Sequence, residues 1–438
     1  MHSLSFQQLL TKEFRELFAS RAFWFMLLIV GLLVGHSFIT AVNTYAEMSG
    51  FGGAPAALPQ ALNSLDGIVF PTWGAYDLAA TFLFPFVAIR LIAAEKETGA
   101  LKLLLQLPGS LAEKITAKGL VLIIGWLIAW LPGLVAILLW RSYGGHIDAT
   151  ETANLLLGHL LRGTLSAAIA VAAAGLAENA SSAAIITLSF TVGTWALDFI
   201  AAGRGGALQQ LASFTPTAAL RSFEQGLLRF STVAVMLMLS LGGFALTAIW
   251  LHTGRSLRSR AALTLVLLGV LLIGCVAGSR VLASWDMSEN RRNSFPAADN
   301  AALKQVQKPL KLTVFLAPED PRLTDLEQGV LKKLRRVMGR QLQVEYVAGS
   351  QSGLFAQSED HYGEIWYEMD GRKVIDRSTI EEVVLDQIYQ LAGVKAPERS
   401  SEDGFPGYPL AVQPKRAALI FYFGWPLLVL VTWWLVRR

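Results

Sequence analysis

The sequence is poor in cysteine and in charge. Cys275 is the one cysteine in 438 residues, which excludes an internal disulfide framework, a cysteine-rich metal cluster and a paired-thiol redox centre. Asp, Glu, Lys and Arg make up 16% of the chain, against roughly a quarter in soluble domains, so an ordinary cytosolic enzyme is excluded as well. The net charge of +4 is too small an excess to mark a nucleic-acid binder. No G-x-x-x-x-G-K-[ST] run is present to cradle nucleotide phosphates, and there is neither an H-E-x-x-H zinc pair nor a G-x-S-x-G nucleophile elbow. The chain is therefore expected to carry no catalytic residue, no metal and no cofactor of its own.

What the sequence does have is apolar length: 53% of residues are hydrophobic, with a mean hydropathy of +0.46. The charge is unevenly spread. Residues 280–416 hold 19 Lys/Arg and 20 Asp/Glu, a density of roughly 28%, ordinary for a soluble domain. The rest of the chain holds 18 Lys/Arg and 13 Asp/Glu, roughly 10% by density, and nearly all the long apolar runs. A water-soluble domain is thus embedded near the end of a membrane domain.

A span needs about 20 mostly apolar residues. Candidates are Ala22–Val42, Ala75–Ala94, Leu120–Trp140, Leu155–Leu176, Ala183–Ala202, Val233–Leu251, Ala262–Ala283 and Ala417–Val436, eight in all. The first is too long, and lacks a cleavage site, for a secretory signal. With the N-terminus inside, 13 Lys/Arg fall on cytoplasmic segments and 4 on short outer loops, the asymmetry expected of inner segments. Both termini are then cytoplasmic, and residues 284–416 face the periplasm or cell exterior of a bacterium.

Leu4–Ser20 places Leu9, Leu10, Phe14, Leu17 and Phe18 at helical spacing beside Lys12, Glu13, Arg15 and Glu16. It reads as an amphipathic interfacial helix over residues 1–21. It is either a plain juxtamembrane helix or part of a docking frame. The next inner segment is Ala88–Lys118, AIRLIAAEKETGALKLLLQLPGSLAEKITAK. A span ends in Glu95-Lys96-Glu97, Thr98-Gly99 reads as a turn, and a short amphipathic helix follows over Ala100–Leu107. Pro108-Gly109 breaks it. Ser110 with Glu113 three on predicts a capping box for the following helix.

This helix–turn–helix elbow resembles that of the ABC type-2 permease family. It is similar to the gliding-motility branch, with its M-R-x-x-x-E-E-x-x-x-G-T-x-E-x-L-L-x-x-P pattern. Arg90, Glu95, Lys96, Gly99, Leu103, Leu104 and Pro108 match; Ala94, Ala100 and Lys102 depart from it. The resemblance implies a coupling helix, residues 95–118, that inserts into a separate cytoplasmic ATPase subunit. Glu95, Lys96, Glu97, Thr98, Gly99, Leu101, Leu103, Leu104 and Pro108 would be its coupling residues, with ATP and Mg held by the partner. Outside, SFTPTAALRSFEQGLLRF resembles the family's re-entrant hairpin before the sixth span, through Pro216, Phe223 and Gly226, with Arg221 between them. The resemblance covers about residues 1–255 and implies a six-span permease domain over 22–255, two ATPase subunits and a homodimer of permease chains. The expected activity is export, or alternatively ATP-driven movement passed to the exported domain without transport.

After the seventh span, 262–283, the run WDMSENRRNSFP resembles the opening of the extracellular domain of the partner subunit in gliding-motility transporters, through Asp286, Ser288, Arg291 or Arg292, and Phe295-Pro296. Residues 284–395 read as an α/β domain, thioredoxin-like or a similar three-layer fold, able to hold a periplasmic partner. Strands are expected at Leu310–Leu316, Gln341–Val347, Glu364–Met369 and Lys373–Asp376, with a turn at Asp370-Gly371. Helices are expected at Thr324–Met338 and Ser378–Leu391, capped by Thr324 and Ser378. Ala317-Pro318-Glu319-Asp320 stands where a thiol pair would, which excludes thiol chemistry. Residues 396–416 read as a linker to the last span, 417–436.

Ionisable residues at membrane depth are costly and mark candidate sites. Arg162 and Asp198 lie at depths differing by roughly 6 Å at 1.5 Å per residue, so a structural pair, a solute pathway and interfacial exposure all stay open. Asp77 is expected at the outer interface and Arg90 near Glu95. His36 and His159 lack a second ligand at metal spacing, and Cys275 reads as an apolar filler. Glu359-Asp360 and His361-Tyr362 read as a solvated loop.

Overall fold

The computed structural model describes residues 6–50, 62–107, 109–201, 208, 212, 214–252, 254–281, 283–317, 320–347, 361–398 and 405–437. Among the described residues eight helices are long and apolar enough to cross a membrane: span 1 (Arg21–Met48), span 2 (Leu65–Glu97), span 3 (Leu111–Ser142), span 4 (Ala149–Leu176), span 5 (Ala180–Ala201), span 6 (Phe230–Leu251), span 7 (Leu257–Ser279) and span 8 (Lys415–Arg437). Several outrun the apolar stretches expected of them, because capping residues outside the hydrocarbon-length window extend the helix. Asp148 does so at span 4, accepting from the Glu151 amide at 2.7 Å. Span 3 is broken at Ala129-Trp130 into Leu111–Ile128 and Leu131–Ser142, with Pro132 in the first turn of the second half.

Spans 1 to 4 share one buried core with the helix Phe6–Ala19, which runs before span 1. Spans 7 and 8 sit at its edge. Span 7 has no buried residue and packs on span 6 through small residues, Gly242 beneath Leu271 and Gly274 beneath Met238. Span 8 closes on span 1 at Gly31 and Gly35, where any Cβ would strike the Trp425 indole or the Phe421 side chain. Such small-x-x-x-small pairs let helix backbones approach closely in lipid. The Trp425 indole N–H meets the Leu27 carbonyl at 2.9 Å, so this buried donor is satisfied as well.

The domain between spans 7 and 8 carries a four-stranded sheet in the order β4 (Leu342–Tyr346), β3 (Leu310–Val314), β5 (Ile365–Met369), β6 (Arg372–Asp376). β3 and β4 are parallel and joined by a helical crossover over residues 321–338; β5 and β6 form an antiparallel hairpin on the other side of β3. Asp370 and Gly371 both take positive φ, 52° and 75°, as the two-residue hairpin turn requires. Leu312 and Tyr367 are register partners on the buried face, against Leu334 of the crossover and Ile388 of the last helix. The two helices share that one core, so the described residues form a two-layer α/β arrangement, not the three layers expected.

Two caps also differ from expectation. The crossover begins at Pro321 with Asp320 accepting from the Arg322 amide at 2.9 Å, so Thr324 lies inside it. The last helix, Glu381–Ala392, starts three residues after Ser378, whose hydroxyl accepts from the Ile380 amide. A short polar side chain can bond the backbone in a turn as readily as at a helix start, and sequence spacing does not separate the two cases. Pro318, Glu319, Glu359 and Asp360 lie outside the described residues.

The domain is stitched to the helices. β1 (Leu227–Arg229), after the hairpin before span 6, pairs antiparallel with β2 (Ser284–Asp286), the domain's first strand. Arg292 reaches Asp66 at 2.5 Å and Glu151 at 3.2 Å, at the ends of spans 2 and 4. The expected linker is tied down as well: the Tyr408 amide donates to the Leu62 carbonyl at 2.9 Å and its hydroxyl to Glu289 at 2.7 Å, while its ring stacks on His146.

Candidate functional site

The elbow joins spans 2 and 3 at the end of the helices opposite the sheet domain. Gly99 turns the chain there with φ 75°, a left-handed conformation that favours glycine, and starts the helix Ala100–Gln106. The capping box at its far side is formed: the Glu113 amide donates to Ser110 Oγ at 3.1 Å and the Ser110 amide to Glu113 Oε2 at 3.2 Å. Lys114 Nζ donates to the Leu107 carbonyl at 2.8 Å and closes the short helix's C-terminus. Pro108 lies outside the described residues.

Three consecutive charged residues reach three different neighbours. Glu95 is buried between Lys12 of the N-terminal helix and Lys118 of span 3, with Lys118 Nζ 3.0 Å from Oε2. Lys118 also holds the buried Glu13 at 2.8 Å and donates to the Leu91 carbonyl at 3.0 Å. Burial opposes the charge on Lys12, yet hydrogen bonding and attraction from Glu95 and Glu13 hold its pKa above the ordinary lysine value. Lys96 places its ammonium on the carbonyls of Ala174, Gly175 and Ala177, at 2.9, 2.9 and 2.6 Å, the C-terminus of span 4. That is where the helix dipole favours a cation. Glu97 accepts from the Ala180 amide at 3.3 Å, the first residue of span 5.

The expected coupling residues therefore divide. Glu95, Leu101 and Leu104 are buried, and Lys96 is spent on span 4. Glu97 and Thr98 are exposed, as are Lys102, Gln106 and Leu107, and Leu103 is 68% exposed. The short helix thus turns an apolar tip outward on a base fixed to the N-terminal helix and spans 3, 4 and 5. Glu13 and Lys118 were not singled out from the sequence. A signal was present for Glu13, which falls in line with Leu9 and Leu17 at four-residue spacing, on the buried stripe. Arg90 is exposed and lines, with Glu95 and Glu16, a cleft of roughly 280 Å³ between the N-terminal helix and span 2.

At the opposite end, of the three readings left open for Arg162 and Asp198, the direct pair is not made. Arg162 Nε faces Asp77 at 3.7 Å, and Asp198 takes Arg221 at 2.5 Å. The hairpin helix Pro216–Glu224 is the reason, since it carries Arg221 to the end of span 5 while span 2 lies nearer to Arg162. Thr215 caps that helix and Pro216 starts it; Phe223 is fully buried over Gly158, and the Asn154 side chain donates to its carbonyl at 2.9 Å. Gly226 has φ 74° and no room for a Cβ beside Ser288. Burial, with Asp77 close by, pushes Glu224 up to about 7 against Arg221 and Arg162. His159 is buried among Trp73 and Tyr76, and His36 faces the Tyr422 hydroxyl of span 8 at 3.2 Å. Cys275 is half-buried in span 7. In the domain, His361 meets Glu364 at 3.2 Å and the rings of Phe315 and Trp366.

Helices of membrane-spanning length with a fixed elbow at one end and a buried hairpin at the other define a multi-pass membrane protein. A family profile described as ABC-2 family transporter protein matches residues 7–287. The chain belongs to that family, as a membrane component of an ABC transporter, and the family pairs with an ABC ATPase subunit. No curated protein and no solved structure matches it significantly.

Proposed function

We propose that the chain is the permease subunit of an ABC exporter in a bacterial inner membrane, working as a homodimer with two ATPase subunits docked on the elbow. Both termini are cytoplasmic in this reading, and the sheet domain is periplasmic, free to hold a partner there. The observation that carries it is the outward tip at Leu103 on a base whose Glu95, Lys96 and Glu97 grip the N-terminal helix and spans 3, 4 and 5. A push on that tip reaches four elements at once. ATP and Mg belong to the partner; this chain supplies positioning and movement.

Co-purification tests the docking. The wild-type chain retains a P-loop ATPase, and Leu103→Asp, a change on an exposed side chain, loses it while melting like the wild type. Equal retention by the two would place docking elsewhere.

A second reading keeps the ATPase but moves no solute: the spans pull on the exported domain, as in the gliding-motility branch. It is favoured by the β1–β2 pairing and by the Arg292 clamp on Asp66 and Glu151, which join the domain to the spans. ATP-dependent solute efflux from vesicles separates the readings, since only the first predicts it.

A further inference from the structure

A pocket of roughly 510 Å³ opens where spans 6 and 7 meet the sheet domain. Arg229, the residue before span 6, lines it from the membrane side, and Lys332, Arg335 and Arg336 of the crossover line it from the domain side. No lining residue is a carboxylate. Two other basic lining residues are already ion-paired, Arg292 with Asp66 and Glu151, Lys333 with Glu381. Arg335 donates to the Tyr346 hydroxyl at 3.1 Å, which itself donates to Glu327 at 2.6 Å, and Arg336 donates to the Asn293 carbonyl at 2.5 Å. Among the described residues Arg229 and Lys332 have no carboxylate at ion-pair distance. Burial first, then the nearby Arg229 and Arg335, holds the Lys332 pKa below its ordinary value, with Glu327 opposing. Four cations, three of them exposed, line a cavity with no carboxylate in its wall, and Glu327 and Asp286 act on Lys332 and Arg336 from outside it.

We propose that this pocket binds the phosphate group of an anionic phospholipid. Like charges gathered without a carboxylate repel one another, and a phosphate with its several acceptor oxygens relieves that and takes charge-assisted hydrogen bonds from guanidinium groups. The place favours a lipid over a soluble phosphate. The pocket's floor is the end of two spans, at the depth where headgroups lie, and Ser231, Ser279 and Ser284 add hydroxyls to its wall. Just along span 7, Leu272, Ile273 and Val276 are exposed and apolar, a track for acyl chains. The bound headgroup would bridge the crossover helix to span 6 and so fasten the domain to the bilayer. This site needs the chain to lie in a bilayer and nothing of the ATPase, so it stands or falls apart from the docking.

Native mass spectrometry of the purified full chain in detergent tests it, with phosphatidylglycerol, phosphatidylcholine and inorganic phosphate as separate probes. The expected result is retention of phosphatidylglycerol over phosphatidylcholine, with inorganic phosphate unable to displace it at equal concentration. Arg229→Gln with Lys332→Gln weakens that retention about twenty-fivefold, at roughly fivefold for each charge, whereas Arg340→Gln, outside the pocket, leaves it unchanged. Equal retention of the two lipids by the wild-type chain overturns the proposal whether or not the double variant folds. So does unchanged retention by a folded double variant. Displacement by inorganic phosphate at equal concentration would make the pocket a soluble-anion site and overturn the lipid assignment.

Discussion

Lys118→Met destabilises the chain by about 3–5 kcal/mol at neutral pH, the cost of leaving buried charges without their partner. Lys118 is 2% exposed, Glu13 0% and Glu95 5%, so water cannot replace the lost ammonium. Burial already raises the Glu13 pKa, with Lys118 pulling it down; without Lys118 it rises further. A carboxyl whose folded pKa lies above its unfolded value takes up a proton on folding. Its stabilising contribution is then full below the unfolded pKa, roughly 4.3, and is lost as pH rises through the folded one. The variant's deficit is accordingly largest at neutral pH and shrinks toward pH ~4. Melting temperature in detergent, followed against pH, measures this. Glu13→Gln added to Lys118→Met recovers part of the loss, because one orphaned charge is removed with its partner. A Lys118→Met chain that melts with the wild type at every pH would show that the cluster does not hold the elbow to the N-terminal helix.

Asp286→Ala has the second large effect, at the other end of the molecule. Its carboxylate accepts from the Ser288 amide and hydroxyl at 3.1 and 2.5 Å, the Asn293 amide at 3.1 Å and the Ser294 hydroxyl at 2.6 Å. These bonds shape the loop that aims Arg292 at Asp66 and Glu151. Burial would raise the Asp286 pKa, but the bonds from Ser288 and Ser294 outweigh it and leave the group below its ordinary value. The sign is opposite to that of Glu13: the stability is present above the unfolded pKa, about 3.9, and is lost as pH falls through the lower folded one. Hydrogen bonds to a charged group contribute about 1.5–3 kcal/mol each, less than additively in one cluster, so a loss of about 3 kcal/mol is expected. Limited proteolysis between spans 6 and 7 and the domain reads it directly. Asp286→Ala is cut at neutral pH, and the wild-type chain resists cutting until pH falls below ~4. Equal protease resistance of the two chains would remove Asp286 as the organiser of the junction.

Much of this architecture was legible in the residues. Eight apolar runs, the Asp370-Gly371 turn and the Ser110–Glu113 capping box are local patterns, and each appears where its pattern lies. What was not legible is pairing across the bundle. Depth along a span is a one-dimensional quantity, so Arg162 and Asp198 looked like partners; which helix faces which decided otherwise, and Asp77 and Arg221 took their places. The charged run Glu95-Lys96-Glu97 looked like a surface for the same reason. Only the fold shows that Glu95 and Lys96 are bound inward and that Leu103 carries the exposed tip. The helix caps at Asp320 and Ile380 were displaced from Thr324 and Ser378 because those side chains had competing local bonds or none.

The coupling role of the elbow comes down to one contact. A photo-crosslinking amino acid placed at Leu103 should join the chain to a P-loop ATPase in living cells, while the same group at Leu101, buried at 5% exposure, or at Leu265, exposed on span 7, should not. An ATPase adduct at Leu103 alone is the predicted result. Wild-type expression with no ATPase adduct at Leu103, or an equal yield at Leu265, would contradict it.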